Sequence, residues 1–129
     1  VKKIKKIKEK SSDLISKLNQ KSYDISSINL KSAWEVRHYD IHKIGKIVII
    51  HMRIFTGTIV KNYEYEISNT VDANLIPKSN TPLCAVAGNT YMQDTVACQC
   101  NLNAGGVIKL VVPGDEKQYV DISGMYITD

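Results

Sequence analysis

The sequence predicts a mainly β protein with an N-terminal α-helix, in which a trimeric helical coiled-coil stalk (residues 1–31) precedes an antiparallel β-sandwich or barrel head (residues 32–129). Three observations carry that prediction. The first 31 residues contain no Gly or Pro and repeat Ile and Leu at heptad spacing. The rest of the 129-residue chain is rich in β-branched and aromatic residues, broken by Gly and Pro at short intervals. Between Lys46 and Phe55 lies a run, Ile47-Val48-Ile49-Ile50, that is apolar on both faces of a strand.

With Ile4 at position a, the a positions are Ile4, Ser11, Leu18 and Ile25, and the d positions are Ile7, Leu14, Lys21 and Ile28. Six of the eight are Ile or Leu, a stripe too narrow for a globular core and suited to a coiled-coil seam. Four heptads make a rod about 42 Å long at roughly 1.5 Å per residue. Ile at both a and d favours three or four strands over two. Ile4, Ile7, Leu14, Leu18, Ile25 and Ile28 are therefore expected at an interface between copies.

Strands are expected near 34–41, 45–56, 60–69, 83–88, 94–102, 106–112 and 117–127. Gly45 can supply a positive φ in the first tight link, Asn103-Ala104-Gly105-Gly106 reads as a hairpin loop, and Pro113-Gly114-Asp115 as a turn. Val96, Cys98, Cys100 and Leu102 share one face, and Ile108, Leu110 and Val112 oppose Lys109. Seven short strands without crossover helices indicate antiparallel pairing. No downstream helix exists to cover a second apolar face, so Val48, Ile50, Met52 and Ile54 are expected inside. Ile47 and Ile49, with His51 on the same face, are expected against neighbouring subunits.

Charge and cysteines narrow the function. Residues 1–31 hold nine lysines and three acids, a net of +6, and the remainder carries −2. The lysines lack interleaved aromatics and read as a solvated helix face, so no nucleic-acid partner is expected. No apolar run reaches a spanning length of about 18 residues, so no membrane partner is expected. The chain begins at Val1, which suggests a processed product or a C-terminal fragment. Cys84, Cys98 and Cys100 read as reduced thiols of a protein folded in a reducing cytoplasm.

No hydrolase, nucleotide-binding or zinc-protease motif is present. Glu64 and Glu66 share one strand face, which is more economically a solvated side than a glycosidase pair. His38 and His42 read as surface residues of the first hairpin. Three copies of His51 about an axis would suit a metal ion, but hydrogen bonding is its commoner use, and neither a metal nor a cofactor is assigned. Tyr91, Gln93 and Asp94 fall in the loop "GNTYMQD", where a ring, an amide and a carboxylate make a saccharide clamp. Arg53, Tyr63 and Tyr65 are further candidates for saccharide binding, whereas Tyr119 and Tyr126 read as framework.

The order of parts resembles a known family. A heptad stalk is followed by Trp34, Tyr39, Lys43-Ile44-Gly45-Lys46-Ile47-Val48, Leu75-Ile76-Pro77, Pro82, Gly106 and the terminal Gly124-Met125-Tyr126-Ile127-Thr128-Asp129. This is similar to the receptor-binding head of siphophage baseplate and tail-tip proteins of Gram-positive hosts, and resembles the lactococcal-phage lower-baseplate proteins. The resemblance implies a non-enzymatic homotrimer on the virion tail or baseplate, joined to upstream baseplate or tail proteins. It implies attachment to a host cell-wall polysaccharide. The alternative reading is a structural trimerisation or fibre-tip module without a ligand.

Overall fold

The computed structural model describes residues 20–129. Nine strands follow in order: β1 (Lys21–Ser22), β2 (Glu35–Ile44), β3 (Ile47–Phe55), β4 (Glu64–Glu66), β5 (Thr81–Pro82), β6 (Cys84–Gly88), β7 (Val96–Leu102), β8 (Ile108–Val111) and β9 (Tyr119–Ile127). Every pairing is antiparallel. The strand order is β1-β2-β3-β9-β6-β7-β8-β4, with β5 added on β7. All seven expected strands are present. β1 and β5, at two residues each, are too short to leave a periodic signal.

β7 turns the corner between two sheets. Its first half pairs with β6 (Ala85↔Cys98 to Ala87↔Val96), and its second half with β8 (Gln99↔Val111 to Leu102↔Ile108). The sheets enclose a single core. Val48, Ile50, Met52 and Ile54 of β3 enter it, with Val120 and Ile122 of β9, Cys100 and Leu102 of β7, and Ile108 and Leu110 of β8. The alternation expected for these strands holds. Ile47 and Ile49 point the other way and remain 43% and 42% exposed. Gly45 has a φ of +59° in the two-residue β2–β3 turn, where a side chain would be strained.

The stalk prediction needs correction at its C-terminal end. Lys21 and Ser22 pair with Lys43 and His42 as a β ladder, and Ile25–Ile28 form a 3-10 helix. Ile28 is 1% exposed within the head core, and Ile25 packs against it. Lys21, Ile25 and Ile28 are therefore not seam positions. The reason is local chemistry. Asp24 caps the short helix, its carboxylate accepting from Ser26 N at 3.3 Å, and Asn29 ends it at φ +56°. The chain is then stitched to the head by Tyr23 N to Ile41 O at 2.9 Å and Lys31 N to Ile67 O at 2.9 Å. The remaining seam positions, Ile4, Ile7, Leu14 and Leu18, lie outside the described residues.

Candidate functional site

β2 and β3 pair in register except at one point. Val36 opposes Ile54 and His38 opposes Arg53, so Arg37 is an extra residue in a bulge. A bulge re-aims the side chains around it. Here the Arg37 guanidinium lies over two rings of the outer face, 4.9 Å from the centre of Phe55 and 5.9 Å from that of Tyr119. Phe55 and Tyr119 are opposed across β3 and β9, with ring centres 4.9 Å apart.

The loop after β6 rises beside these rings. Together Arg37, Arg53, Thr90, Tyr91, Met92 and Tyr119 line a cleft of about 320 Å³. The loop is held by its own sequence. The Asn89 side-chain carbonyl accepts from Tyr91 N and Gln93 N, both at 3.0 Å. Asn89 N donates to Gln93 O at 2.9 Å, and Met92 N to Asn89 O at 2.9 Å. Met92 and Asp94 take positive φ values of 54° and 51°. Strained conformations of this kind persist only where the surroundings over-determine them. Lys117 does part of that. Its side chain is 3% exposed, and its ammonium donates to the Asp94 carbonyl at 2.5 Å and to the Asp94 carboxylate at 3.0 Å. Thr90 donates to the Gln118 side-chain oxygen.

The cleft presents one free ring and two anchored cations. Tyr91 is 80% exposed. Arg53 is fixed by Asp121 at 2.9 Å, and Arg37 lies 3.4 Å from Glu35. Ring faces and fixed donors without a surplus of one charge suit a polar, largely neutral ligand.

The expected site residues separate into groups. Tyr91 and Arg53 meet in the cleft. Gln93 and Asp94 belong to its loop, but Gln93 contributes backbone and Asp94 is tied to Lys117. Tyr63 and Tyr65 are not in the cleft lining. They stand edge-on to each other at 4.7 Å, and Tyr65 packs on buried Trp34 at 5.5 Å. Glu64 and Glu66 pair separately with Lys109 and Lys31, each at 3.6 Å, as a solvated face does. Tyr126 is framework, its hydroxyl donating to Leu75 O at 2.7 Å. Burial pushes its ionisation well above the ordinary tyrosine value. Arg37, Thr90, Met92 and Tyr119 were missed. Strand alternation cannot reveal a bulge, and Tyr119 gains its role only from its register opposite Phe55.

A second cluster occupies the same outer face. His38 and His42 both lie in β2, flank Asp40 and reach the surface as expected. His38 Nε2 is 3.0 Å from one Asp40 carboxylate oxygen, and His42 Nε2 is 3.9 Å from the other. His51 opposes Asp40 across the ladder, and its Nε2 lies 2.6 Å from Asp121. The pattern His-x-Asp-x-His on one strand face was a legible sign of this convergence. At the far end of the face Ile47, Ile49, Met125 and Ile127 form an exposed apolar patch. It borders a groove of about 630 Å³ lined by Lys78–Pro82.

No family model and no curated protein sequence matches the chain. Among solved structures, the head domain of lactococcal phage bIL170, described as a receptor-binding domain, superposes with a TM-score of 0.64 at 10% sequence identity. The match covers 86% of this chain and the whole of that domain. The fold is that of a lactococcal-phage receptor-binding head. The fold expected from the order of parts is thus the one observed.

Proposed function

We propose that this chain is the receptor-binding head of a phage tail or baseplate protein, attaching the virion to a host cell-wall saccharide without catalysis. The observation that carries the reading is the cleft at Arg37, Arg53, Tyr91 and Tyr119, built on a head fold by a loop that the Asn89 side chain holds through its own hydrogen bonds. The C–H face of a sugar stacks on the exposed Tyr91 ring, while the guanidiniums and Thr90 meet its hydroxyls. Such a shallow site gains little per ligand atom, so single-site affinity is weak. Several heads acting together convert it to firm adsorption by raising effective concentration.

The head works as a homotrimer. Ile47, Ile49, Met125 and Ile127 supply an apolar face of the kind that subunit contacts cover. Ile4, Ile7, Leu14 and Leu18 supply the seam of a stalk that leads to upstream tail proteins. His51 stands beside the apolar patch at the edge of this contact.

The same apolar face would serve an assembly module with no ligand, so binding decides between the two. Purified cell-wall polysaccharide from candidate hosts is titrated against the full chain and against Tyr91→Ala and Arg53→Ala. Specific binding weakened about ten-fold by either substitution, a loss of about 1.4 kcal/mol, supports the receptor-binding reading. Absence of specific binding across the polysaccharides overturns it. A trimer that binds nothing leaves the assembly role.

A further inference from the structure

We propose that His38, Asp40 and His51 form a divalent transition-metal site within each chain, at the bulged end of the β2–β3 ladder. One ligand atom from each of the three lies within 4.8 Å of the others, and two of them are already 3.0 Å apart. A tetrahedral ion with bonds of roughly 2.0–2.2 Å holds its ligands about 3.3 Å apart, so a small turn of partly exposed side chains completes the set. Two imidazoles with one carboxylate select zinc, nickel or iron over calcium, which prefers oxygen alone.

Two features make this more than a chance meeting of polar groups. The bulge at Arg37 shifts the phase of β2, which puts His38 on the outer face beside Asp40 and opposite Arg53. Asp121 binds one ring nitrogen of His51 at 2.6 Å and leaves the other for an ion. A carboxylate behind a ligating imidazole fixes its ring and raises its basicity, and Arg53 holds that carboxylate at 2.9 Å. His42, 3.9 Å from Asp40, stands outside the set. Three protein ligands leave a coordination position for water or another oxygen donor. The bound ion stiffens the bulge that carries Arg37 into the cleft.

The test is a titration of the full chain with Co²⁺, read by its visible d–d absorption and by calorimetry with Zn²⁺. The expected result is saturation at one ion per chain at micromolar metal. His38→Gln, Asp40→Asn and His51→Gln each weaken binding by at least ten-fold. Asp121→Asn acts through His51 and weakens it about ten- to a hundred-fold. His42→Gln leaves binding unchanged, because at 3.9 Å from Asp40 it neither ligates the ion nor hydrogen-bonds a ligand. Circular dichroism checks that each variant is folded. The site is refuted if wild-type protein shows no saturable absorption, or if His38→Gln and Asp40→Asn bind as wild type does. One ion per three chains refutes it too, because that stoichiometry belongs to an axial site built from several copies.

Discussion

Gly88 lies where β6 becomes the cleft loop, and a single methyl group there tests whether that loop is held by close packing. A Cβ on Gly88 would sit 2.9 Å from Met92 Sδ, 3.0 Å from Met92 Cα and 3.1 Å from Met92 C. Comfortable carbon contacts are about 3.5–4.0 Å, so two backbone atoms must retreat by roughly half an ångström or more. Met92 cannot yield alone, because its amide bonds to Asn89 and its neighbours are tied through Asn89 and Lys117. Overpacking of this kind costs about 1–3 kcal/mol. Gly57→Ala is the control, since nothing lies within 4 Å of its Cβ position and its φ is not positive. Replacing glycine at such an open site is neutral or stabilises by about 0.4–1 kcal/mol. Urea denaturation is the stability assay: Gly88→Ala lowers the midpoint with an unchanged slope, and Gly57→Ala does not. Amide chemical shifts of Asn89–Asp94 report the displacement without a ligand, and polysaccharide titration reports its effect on the cleft. If Gly88→Ala matches Gly57→Ala in midpoint and leaves the loop amides unmoved, the close-packing argument is wrong.

Three other outcomes follow from the same structure. Ile28→Ala removes a side chain that is 1% exposed in the core and costs about 2–5 kcal/mol of head stability, measured by urea denaturation. A change under about 0.5 kcal/mol, the usual range for surface positions, would return Ile28 to a surface seam. Alkylation at mildly alkaline pH, followed by mass spectrometry, modifies exposed Cys84 first and Cys100 only on unfolding, because burial pushes the Cys100 thiol up to about 12. The Asp24 carboxyl is held below its ordinary value by hydrogen bonds from Ser26 and then from Tyr39. A carboxyl shifted that way stabilises the fold above its unfolded value and ceases to do so as pH falls through the folded one. Acidification below the ordinary carboxylate range therefore loosens Lys21–Ile28, seen in the Tyr23 and Tyr39 resonances, and Asp24→Asn abolishes the pH dependence.

The β architecture was legible because alternation is a strong signal where one strand face is buried. β3 shows this best: Val48, Ile50, Met52 and Ile54 were readable as core from spacing alone, and Gly45 marked the turn before them. Residues 21–28 were misread because Ile25 and Ile28, three apart, satisfy a heptad and a 3-10 turn equally well. Only the capping pattern of Asp24, Ser26, Ser27 and Asn29 separated the two. The site was half legible. Tyr91 announced itself as an aromatic in a polar loop. Arg37 and Tyr119 did not, since their positions depend on a bulge and a cross-strand register that no local pattern encodes. Lys117 reads as an ordinary surface lysine and becomes an internal brace only through its contact with a loop 23 residues away.

The corner at β7 has a mechanical consequence. Between Cys98 and Gln99 the strand passes from one set of hydrogen-bonding neighbours to the other, so neither layer owns it. Tension applied at Lys21 meets β1 and β2 first, and the load then runs through β3, β9 and β6 into this shared strand. Separating the two layers therefore requires breaking the ladder of β7 on one side or the other.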